Sequence, residues 1–395
     1  MLEIASPEEV GFSSERLNRL DVVMQDYIDQ GLTGGILTLV ERRGQIIHLG
    51  KYGYQDITKK TPLEFDHIFR IYSMTKPITS LALMMLLEQG KVRLFDPIDR
   101  YLPEFKEVKV LDQKGKQISP KTPMTVHHLL THTSGLTYGL FGNSEVDKLY
   151  QEEFKLMSKD QTLAEMIQKI AGFPLVGHPG EQWVYSVSTD VVGRIVEVIT
   201  GLSLGKFIEE NILSPLRMVD TAFSVSDDKL DRLTTCYTET ETDKLVLQDH
   251  PSHSNYQNVK LHSGGGGLVS TLKDYLQFVR LLYNYGELNG IRLVGRKTIE
   301  LMTTNNIDPK LMPLATQEPF PGFGFGLGFR VLVDLGQTRE LGTLGTYGWG
   351  GAASTTFFVD PQEEMIGIMM SQYMPATPFF LIPDFRTLVY QAIVN

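Results

Sequence analysis

The sequence predicts an α+β fold: an antiparallel sheet flanked by N- and C-terminal helices, with a mostly helical domain inserted between its strands. Strand-like runs lie near both ends of the 395-residue chain, whereas helical patterns dominate from residue 74 to about residue 213. Because each apolar face must be covered, the simplest arrangement pairs the terminal strands into one sheet. The predicted domains are residues 1–80 plus 265–395 for the sheet and 81–264 for the helices, with the active site in the cleft between them.

The N-terminal part of the chain predicts one helix and one hairpin. Ser13 or Ser14 provides a helix N-cap, and the apolar residues that follow recur at helical spacing until Gly31. Two strand-like runs, 36–40 and 46–49, are close enough to form a hairpin.

Strand signals return near the C-terminus. The β-rich runs 329–333, 354–359 and 365–370 are followed by a segment, 380–394, whose apolar positions alternate as in a closing helix. These runs supply the C-terminal strands and the last helix of the predicted sheet domain.

Composition excludes several classes of function. Hydrophobic residues make up 42% and charged residues 21% of the chain, as in globular proteins. The net charge is -10 with no long basic run, so nucleic-acid binding has no electrostatic support. The longest apolar run, residues 81–87, is far shorter than the roughly 20 residues that span a bilayer. With a single cysteine, Cys236, and no export signal at the N-terminus, we expect a cytoplasmic protein without cofactors.

Ser73-Met74-Thr75-Lys76 is the first candidate for catalysis. Serine is a weak nucleophile until a base takes its proton, and residues three apart on a helix share a face, which brings the Lys76 amine to the Ser73 hydroxyl. A strand-like run, 68–72, precedes the serine and an apolar helix follows it, so free N–H groups at the helix start would favour negative charge. The pattern alone is weak, because an N-cap serine beside a solvated lysine looks the same. It recurs at Ser203/Lys206, Ser226/Lys229 and Ser270/Lys273.

Two further segments could complete a site. Tyr185 lies between a Pro179-Gly180 turn and an apolar helix, where its hydroxyl could act as a base or simply bond to the backbone. The segment 347–354 contains Gly350 and Gly351, which would let the backbone approach a ligand and offer N–H donors to an oxyanion. A glycine-rich start of a strand with a packing tryptophan is the alternative.

Other conspicuous residues receive mainly structural interpretations. His132 is interpreted as a hydrogen-bonding residue of the core rather than a base. The glycine run 264–267 lacks the Gly-Lys-Ser/Thr ending of a phosphate loop and is interpreted as a turn before a helix. Phe323 and Phe325 could wall a substrate pocket or form an aromatic cluster within their own loop.

Together these segments resemble the class C β-lactamase-like serine hydrolases, which include penicillin-binding DD-peptidases and family VIII carboxylesterases. The resemblance implies that Ser73 is acylated and that Lys76 and Tyr185 handle its proton, in an order that the sequence leaves open. It also implies an oxyanion hole made of the backbone N–H groups of Ser73 and Ala352. The ordered matches run through nearly the whole chain, at 73–76, 90–103, 125–136, 179–186 and 263–271.

Two departures from that family's sequence pattern narrow the range of expected substrates. The β-lactam-hydrolysing members carry Tyr-x-Asn, whereas this chain has Val187 at the third position, which neither donates nor accepts a hydrogen bond. They also carry Lys-Thr-Gly on the third strand, where this chain has Trp349-Gly350-Gly351 and lacks the lysine that attracts a carboxylate. Both changes favour a neutral ester, and the Trp-Gly-Gly form resembles that of family VIII esterases. Val187 and residues 349–351 are therefore expected to contact substrate.

The predicted function is hydrolysis of a small carboxylic ester through an acyl-enzyme on Ser73, without a metal or cofactor. Acyl transfer and weak β-lactamase or DD-peptidase activity are alternatives that use the same chemistry. A binding module on a hydrolase scaffold is the non-enzymatic alternative, which the retention of serine, lysine and tyrosine disfavours. The expected partner is a small-molecule ester rather than nucleic acid or a membrane, and the oligomeric state is left open.

Overall fold

The computed structural model of the chain describes residues 3–140, 142, 144–152, 158–240, 245–316, 319–375 and 381–395. Within these ranges the α-helices are α1 (Ser14–Asp29), α2 (Thr75–Glu88), α3 (Val126–Leu130), α4 (Glu145–Glu152), α5 (Leu163–Ile170), α6 (Ser188–Thr200), α7 (Leu204–Ile208), α8 (Leu272–Tyr283), α9 (Arg296–Met302), α10 (Leu335–Thr338) and α11 (Leu381–Tyr390). The strands are β1 (Gly35–Arg42), β2 (Gln45–Asp56), β3 (Thr61–Pro62), β4 (Phe69–Arg70), β5 (Val110–Leu111), β6 (Gln117–Ile118), β7 (Cys236–Thr238), β8 (Val246–Asp249), β9 (Val269–Ser270), β10 (Glu287–Leu288), β11 (Ile291–Arg292), β12 (Leu314–Ala315), β13 (Pro319–Phe320), β14 (Phe323–Phe325), β15 (Arg330–Leu332), β16 (Tyr347–Gly351), β17 (Thr355–Asp360) and β18 (Met365–Ser371).

One antiparallel sheet joins the two ends of the chain. Its strand order is β14-β15-β16-β17-β18-β1-β2-β3, and every neighbouring pair runs antiparallel. At the seam β1 pairs with β18, so that Ile36 lies opposite Ser371. The predicted antiparallel sheet built from terminal strands is confirmed, and the predicted hairpin turns between β1 and β2.

Both faces of this sheet are covered, which explains why β1 is buried along its length. Every residue of β1 is buried, as is usual for a strand with helices on both sides. On one face, α1 and α11 contribute Leu20 and Phe385 to a core that also takes Met369 from β18. On the other face, α8 places Tyr275 against Phe357 of β17, with ring centroids 5.3 Å apart.

The terminal helices lie where the sequence predicts them. The Ser13 hydroxyl accepts the N–H of Arg16 at 3.3 Å and caps α1, which satisfies one of the free donors of its first turn. The closing helix corresponds to α11, which begins at Leu381; Phe380 lies outside the described residues.

Helix α2 is buried on nearly every side. Its second half, residues 81–87, is apolar all round the helix, as expected for a helix enclosed by others. It packs against α6 and α7. The predicted boundary between residues 80 and 81 falls inside this helix, and the division into two domains stays a prediction. No helix in the described ranges is both long enough and apolar enough to cross a membrane.

The strand before Ser73 is shorter than the predicted run of residues 68–72. Only Phe69 and Arg70 form a strand, β4, and it pairs with β9 rather than with the main sheet. The Arg70 side chain has no exposed surface. Its Nη2 donates to Asp249 Oδ1 at 2.6 Å and its Nη1 donates to the Thr234 carbonyl at 2.6 Å. This buried ion pair fixes the strand that leads into the turn carrying Ser73.

We predict that Arg70→Met lowers the free energy of unfolding by about 3–5 kcal/mol, because it leaves the Asp249 carboxylate largely buried without its partner. Urea unfolding measures the change. Lys121→Met, which breaks an exposed ion pair with Glu181, should cost less than about 1 kcal/mol.

The double variant Arg70→Met/Asp249→Asn should recover part of the loss, since no unpaired charge remains. A double variant as unstable as the single one would show that the arginine contributes by filling space and not by pairing.

Candidate active site

Ser73 lies on a tight turn between β4 and α2. Residues Tyr72–Met74 form one turn of 3-10 helix, and Tyr72 has a φ of 41°, a left-handed conformation that is strained for a bulky residue. Two bonds hold the turn in place: the Leu268 N–H donates to the Thr75 hydroxyl at 3.1 Å, and the Tyr275 hydroxyl donates to the Met74 carbonyl at 2.9 Å. Ser73 itself is half-buried, so its hydroxyl is presented by a rigid, anchored turn.

The three side chains singled out from the sequence converge on one oxygen. The Tyr185 hydroxyl donates to Ser73 Oγ at 2.7 Å, and Lys76 Nζ donates to the same oxygen at 3.2 Å. Lys76 Nζ also lies 4.5 Å from the centroid of the Tyr185 ring. The predicted grouping around Ser73 is therefore present, with a tyrosine and a lysine both in position to exchange a proton with the serine.

Lys76 has two further partners that the sequence did not reveal. The amine is fully buried. It donates to the Tyr138 hydroxyl at 3.0 Å and to the Gly265 carbonyl at 2.6 Å. Together with Ser73 Oγ, these acceptors match the three N–H bonds of a protonated lysine. Burial raises the pKa of Tyr138 well above its usual value, as do the nearby Asp190 and Tyr185, so Tyr138 remains a phenol.

The glycine run 264–267, predicted to be a simple turn, packs closely against Tyr138 and Lys76. A Cβ on Gly265 would lie 2.6 Å from the Tyr138 hydroxyl, closer than side chains approach. Only a residue without a side chain lets this backbone reach Lys76. The sequence signal for this close approach was the run of four consecutive glycines, since an ordinary turn needs only one or two. Nothing in the sequence pointed to Tyr138.

Aromatic rings enclose Tyr185. Its hydroxyl accepts a bond from Trp349 Nε1 at 3.3 Å, and its ring centroid lies 5.4 Å from that of Trp349 and 6.1 Å from that of Trp183. Phe325 packs edge-on against Trp349 at 5.3 Å. Trp349, which was expected to contact substrate, thus bonds to Tyr185, and Phe325 packs against the Trp349 indole ring.

His132 belongs to this enclosure as a neutral ring. Its centroid is 4.8 Å from that of Tyr185, and its Nδ1 accepts the backbone N–H of Ser186 at 3.3 Å. Burial lowers the pKa of His132 well below its usual value, and the charge of Lys76 lowers it further. His132 thus stays neutral and bonds to the backbone, as expected for a hydrogen-bonding residue of the core.

The end of β16 lies against the nucleophile turn. A Cβ on Gly351 would come within 2.4 Å of the Ile71 carbonyl, so only glycine permits this approach. Gly350 and Ala352, on either side, are half-buried. This proximity brings the backbone around Ala352 to the Ser73 turn, the place at which an oxyanion hole is expected.

Three of the expected substrate contacts are corrected by the structure. Phe325 has no exposed surface and packs in the core against Trp349. Val187 has no exposed surface and lies in the main hydrophobic core at the N-cap of α6, because an apolar side chain there gains more from packing than from solvent. Phe323 lies beneath two guanidinium groups, 4.2 Å from that of Arg330 and 5.6 Å from that of Arg386. Its aromatic face thus stacks on cations rather than joining the rings around Tyr185.

In the described part of the chain, no group of three or more His, Cys, Asp or Glu side chains is placed to hold a metal. The contacts among Ser73, Lys76 and Tyr185 are direct, so the proton of the serine can pass between protein groups.

The fold and the grouping on Ser73 are those of a serine hydrolase. A family model described as Beta-lactamase matches residues 20–391, and the chain belongs to this family. The resemblance noted in the sequence is thereby confirmed.

Similar proteins extend over nearly the whole chain. Protein Rv1367c of Mycobacterium tuberculosis is 36% identical over 361 residues, 89% of each chain. Esterase EstB of Burkholderia gladioli is 29% identical over 377 residues, 90% of this chain and 91% of its own. The solved structure of EstCE1, described as a hydrolase with promiscuous acyltransferase activity, matches with a TM-score of 0.82 at 27% identity, covering 95% of this chain and 99% of its own.

The bond from Trp349 to Tyr185 gives a test with a matched control, since the chain has two tryptophans. Trp349→Phe keeps an aromatic ring but removes the N–H that donates to the Tyr185 hydroxyl oxygen. We expect Ser73 to react with a fluorophosphonate probe about tenfold more slowly, the effect of losing one hydrogen bond to a group that develops charge.

Trp183→Phe is the control. Trp183 Nε1 is buried and has no hydrogen-bond partner among the residues described, so its removal should leave the labelling rate within about twofold. Equal slowing in both variants would mean that the rings matter only through packing.

Proposed function

We propose that the protein is a serine carboxylesterase that acts on a small neutral ester through an acyl-enzyme on Ser73. The observation that carries the proposal is the double contact on Ser73 Oγ, 2.7 Å from the Tyr185 hydroxyl and 3.2 Å from Lys76 Nζ. Similarity to esterase EstB, at 29% identity over 90% of this chain, supports the substrate class.

In the proposed reaction, Ser73 Oγ attacks the ester carbonyl while the Lys76/Tyr185 pair takes its proton. The two groups are linked through the serine and act as one unit. The backbone N–H groups of Ser73 and Ala352 stabilise the oxyanion of the tetrahedral intermediate. The pair then returns the proton to the leaving alcohol, and a water molecule, deprotonated by the same pair, releases the acid from the acyl-enzyme.

The surroundings of Trp349 support a neutral substrate. At this position the resembling β-lactamases carry a lysine that attracts a carboxylate, whereas the indole N–H of Trp349 is already bonded to Tyr185. Trp349 itself is 8% exposed and has apolar Phe325 behind it. A carboxylate beside these rings would lose hydration without gaining a partner. The substrate class is therefore an uncharged ester with a short acyl group.

Acyl transfer is a second candidate. EstCE1, 27% identical over 95% of this chain, is described as a hydrolase with promiscuous acyltransferase activity. The acyl-enzyme is common to both reactions, and only the group that attacks it differs. An apolar enclosure favours an alcohol over water when both are present, because it binds the alkyl part of the alcohol.

Ester hydrolysis that depends on Ser73 is the direct test. We expect the protein to hydrolyse p-nitrophenyl acetate or butyrate, and Ser73→Ala to lower kcat/KM by more than about 10³-fold, since no nucleophile remains. Ser203→Ala is the matched control: it lies in the same Ser-x-x-Lys pattern but only caps α7, where its hydroxyl accepts the Lys206 N–H. That variant should lose about 1 kcal/mol of stability and no activity. Activity that survives in Ser73→Ala would remove this serine from the mechanism.

Substrate preference is tested with a panel. We expect short p-nitrophenyl esters to be turned over at least about 100-fold faster than nitrocefin, because a substrate carboxylate has no cation to replace its hydration near Trp349. Adding a primary alcohol and measuring the ester product by chromatography separates transfer from hydrolysis. Nitrocefin turnover as fast as that of the esters would contradict the neutral-ester assignment.

A further inference from the structure

A buried carboxylate lies close to Lys76 but is not part of the proposed reaction. Asp190, in the first turn of α6, has no exposed surface. Its Oδ1 accepts the Ser263 hydroxyl at 2.6 Å and the Gly265 N–H at 3.1 Å. Asp190 therefore holds the backbone of the same glycine whose carbonyl accepts the Lys76 amine at 2.6 Å.

The second oxygen of this carboxylate is directed towards the lysine environment. Asp190 Oδ2 is buried and has no hydrogen-bond partner within the part of the chain that the structure describes. A Cβ on Gly265 would lie 2.4 Å from Asp190 Oδ2 and 2.6 Å from the Tyr138 hydroxyl, so the two oxygens are on the same side of this glycine. Leaving a buried carboxylate oxygen unbonded is costly unless a nearby positive charge compensates.

Lys76 supplies that charge. Burial raises the pKa of the Asp190 carboxyl, whereas the bond from Ser263 and the charge of Lys76 favour the carboxylate. The titratable groups that face Asp190 are Lys76 from α2 and Tyr138 from the loop after α3, with Tyr185 beyond Tyr138. The opposite charges of Asp190 and Lys76 lie in an environment of low dielectric, where their interaction is strong.

The glycine loop 264–267 transmits the position of Asp190 to Lys76. The Thr79 hydroxyl of α2 donates to the Gly264 carbonyl at 2.9 Å. A Cβ on Gly264 would lie 2.7 Å from the Thr189 carbonyl, so α6 touches the loop backbone directly. Held by α2 and by the first turn of α6, the loop can place the Gly265 carbonyl in one position only.

We propose that Asp190 is a positioning residue for the reaction at Ser73: it anchors the loop 264–267 against Lys76 and supplies a negative charge beside the Lys76 amine. The role rests on the proposed function, in which Lys76 and Tyr185 handle the serine proton. Asp190 would act through Lys76 and would not touch the substrate.

A purely structural role predicts a different outcome, and the chain offers a control for it. Asp274 occupies the matching place in α8, where it is 3% exposed. Its Oδ2 accepts the Asp220 N–H at 2.7 Å and the Thr221 hydroxyl at 3.1 Å. It is thus a buried, hydrogen-bonded aspartate near a helix start, with backbone and hydroxyl partners instead of Lys76.

The test compares Asp190→Asn with Asp274→Asn. Asparagine keeps the shape and an acceptor oxygen for Ser263 and Gly265 but removes the charge. The readout is the second-order rate at which a fluorophosphonate labels Ser73, measured from about pH 5 to pH 10, a range that reaches the ordinary pKa values of tyrosine and lysine side chains. Ester hydrolysis is followed in parallel.

We expect Asp190→Asn to move the acid limb of the labelling profile to lower pH by about one unit. The shift is towards lower pH because removing a negative charge makes proton loss from the Lys76/Tyr185 pair easier. Asp190→Ala, which also frees the loop, should slow labelling at the plateau about tenfold or more. Asp274→Asn should leave both the limb and the plateau unchanged, even if it unfolds at a lower urea concentration.

Profiles of Asp190→Asn and wild type that coincide would overturn the proposal. Because Asp190→Asn keeps the hydrogen bonds, this outcome remains readable if Asp190→Ala fails to fold. A shifted labelling profile in a protein that hydrolyses no ester would reject the proposed esterase function while supporting the role of Asp190. Ester hydrolysis with an unshifted labelling profile would support the proposed esterase function and reject the role of Asp190.

Discussion

The burial of the Lys76 amine is the constraint on which the site depends. A lysine without exposed surface must find acceptors for its N–H bonds inside the protein, since an unpaired buried ammonium is costly. Its acceptors come from separate parts of the chain: the nucleophile turn, the loop after α3, and the glycine run 264–267. They meet only when these three segments are packed together, so the geometry around Lys76 is a property of the complete fold.

The second constraint is the aromatic enclosure of Tyr185. The rings of His132, Tyr138, Trp183 and Trp349 lie with their centroids 4.8 to 6.1 Å from that of Tyr185, which is 9% exposed. In such surroundings a hydrogen bond is electrostatically stronger than in water, so the bonds of the Tyr185 hydroxyl to Ser73 and Trp349 carry more weight than they would at the surface. The enclosure thus combines a largely dry environment with polar contacts at the hydroxyl that meets Ser73.

Local patterns predicted the elements whose structure is decided locally. The hairpin of β1 and β2, the strands β17 and β18, and the Ser73/Lys76 spacing at a helix start all depend on residues within a few positions of one another. The errors lie where distant residues decide. The run before Ser73 became the short β4 because it pairs with β9, about 200 residues later. Val187, Phe323 and Phe325 were misplaced because apolar residues suit a pocket and a core equally well.

What the sequence alone determined is the chemistry: a serine, a lysine and a tyrosine in family-like order, and a tryptophan where a lysine would select charged substrates. Its periodicities also determined the α+β class and the antiparallel sheet. Only the tertiary structure decided that Tyr138, the Gly265 carbonyl and Asp190 lie around Lys76. The physical reason is that hydrogen bonds and charge pairs act over a few ångströms in space, whereas these residues are 50 to 190 positions apart in the chain. No local pattern records such contacts.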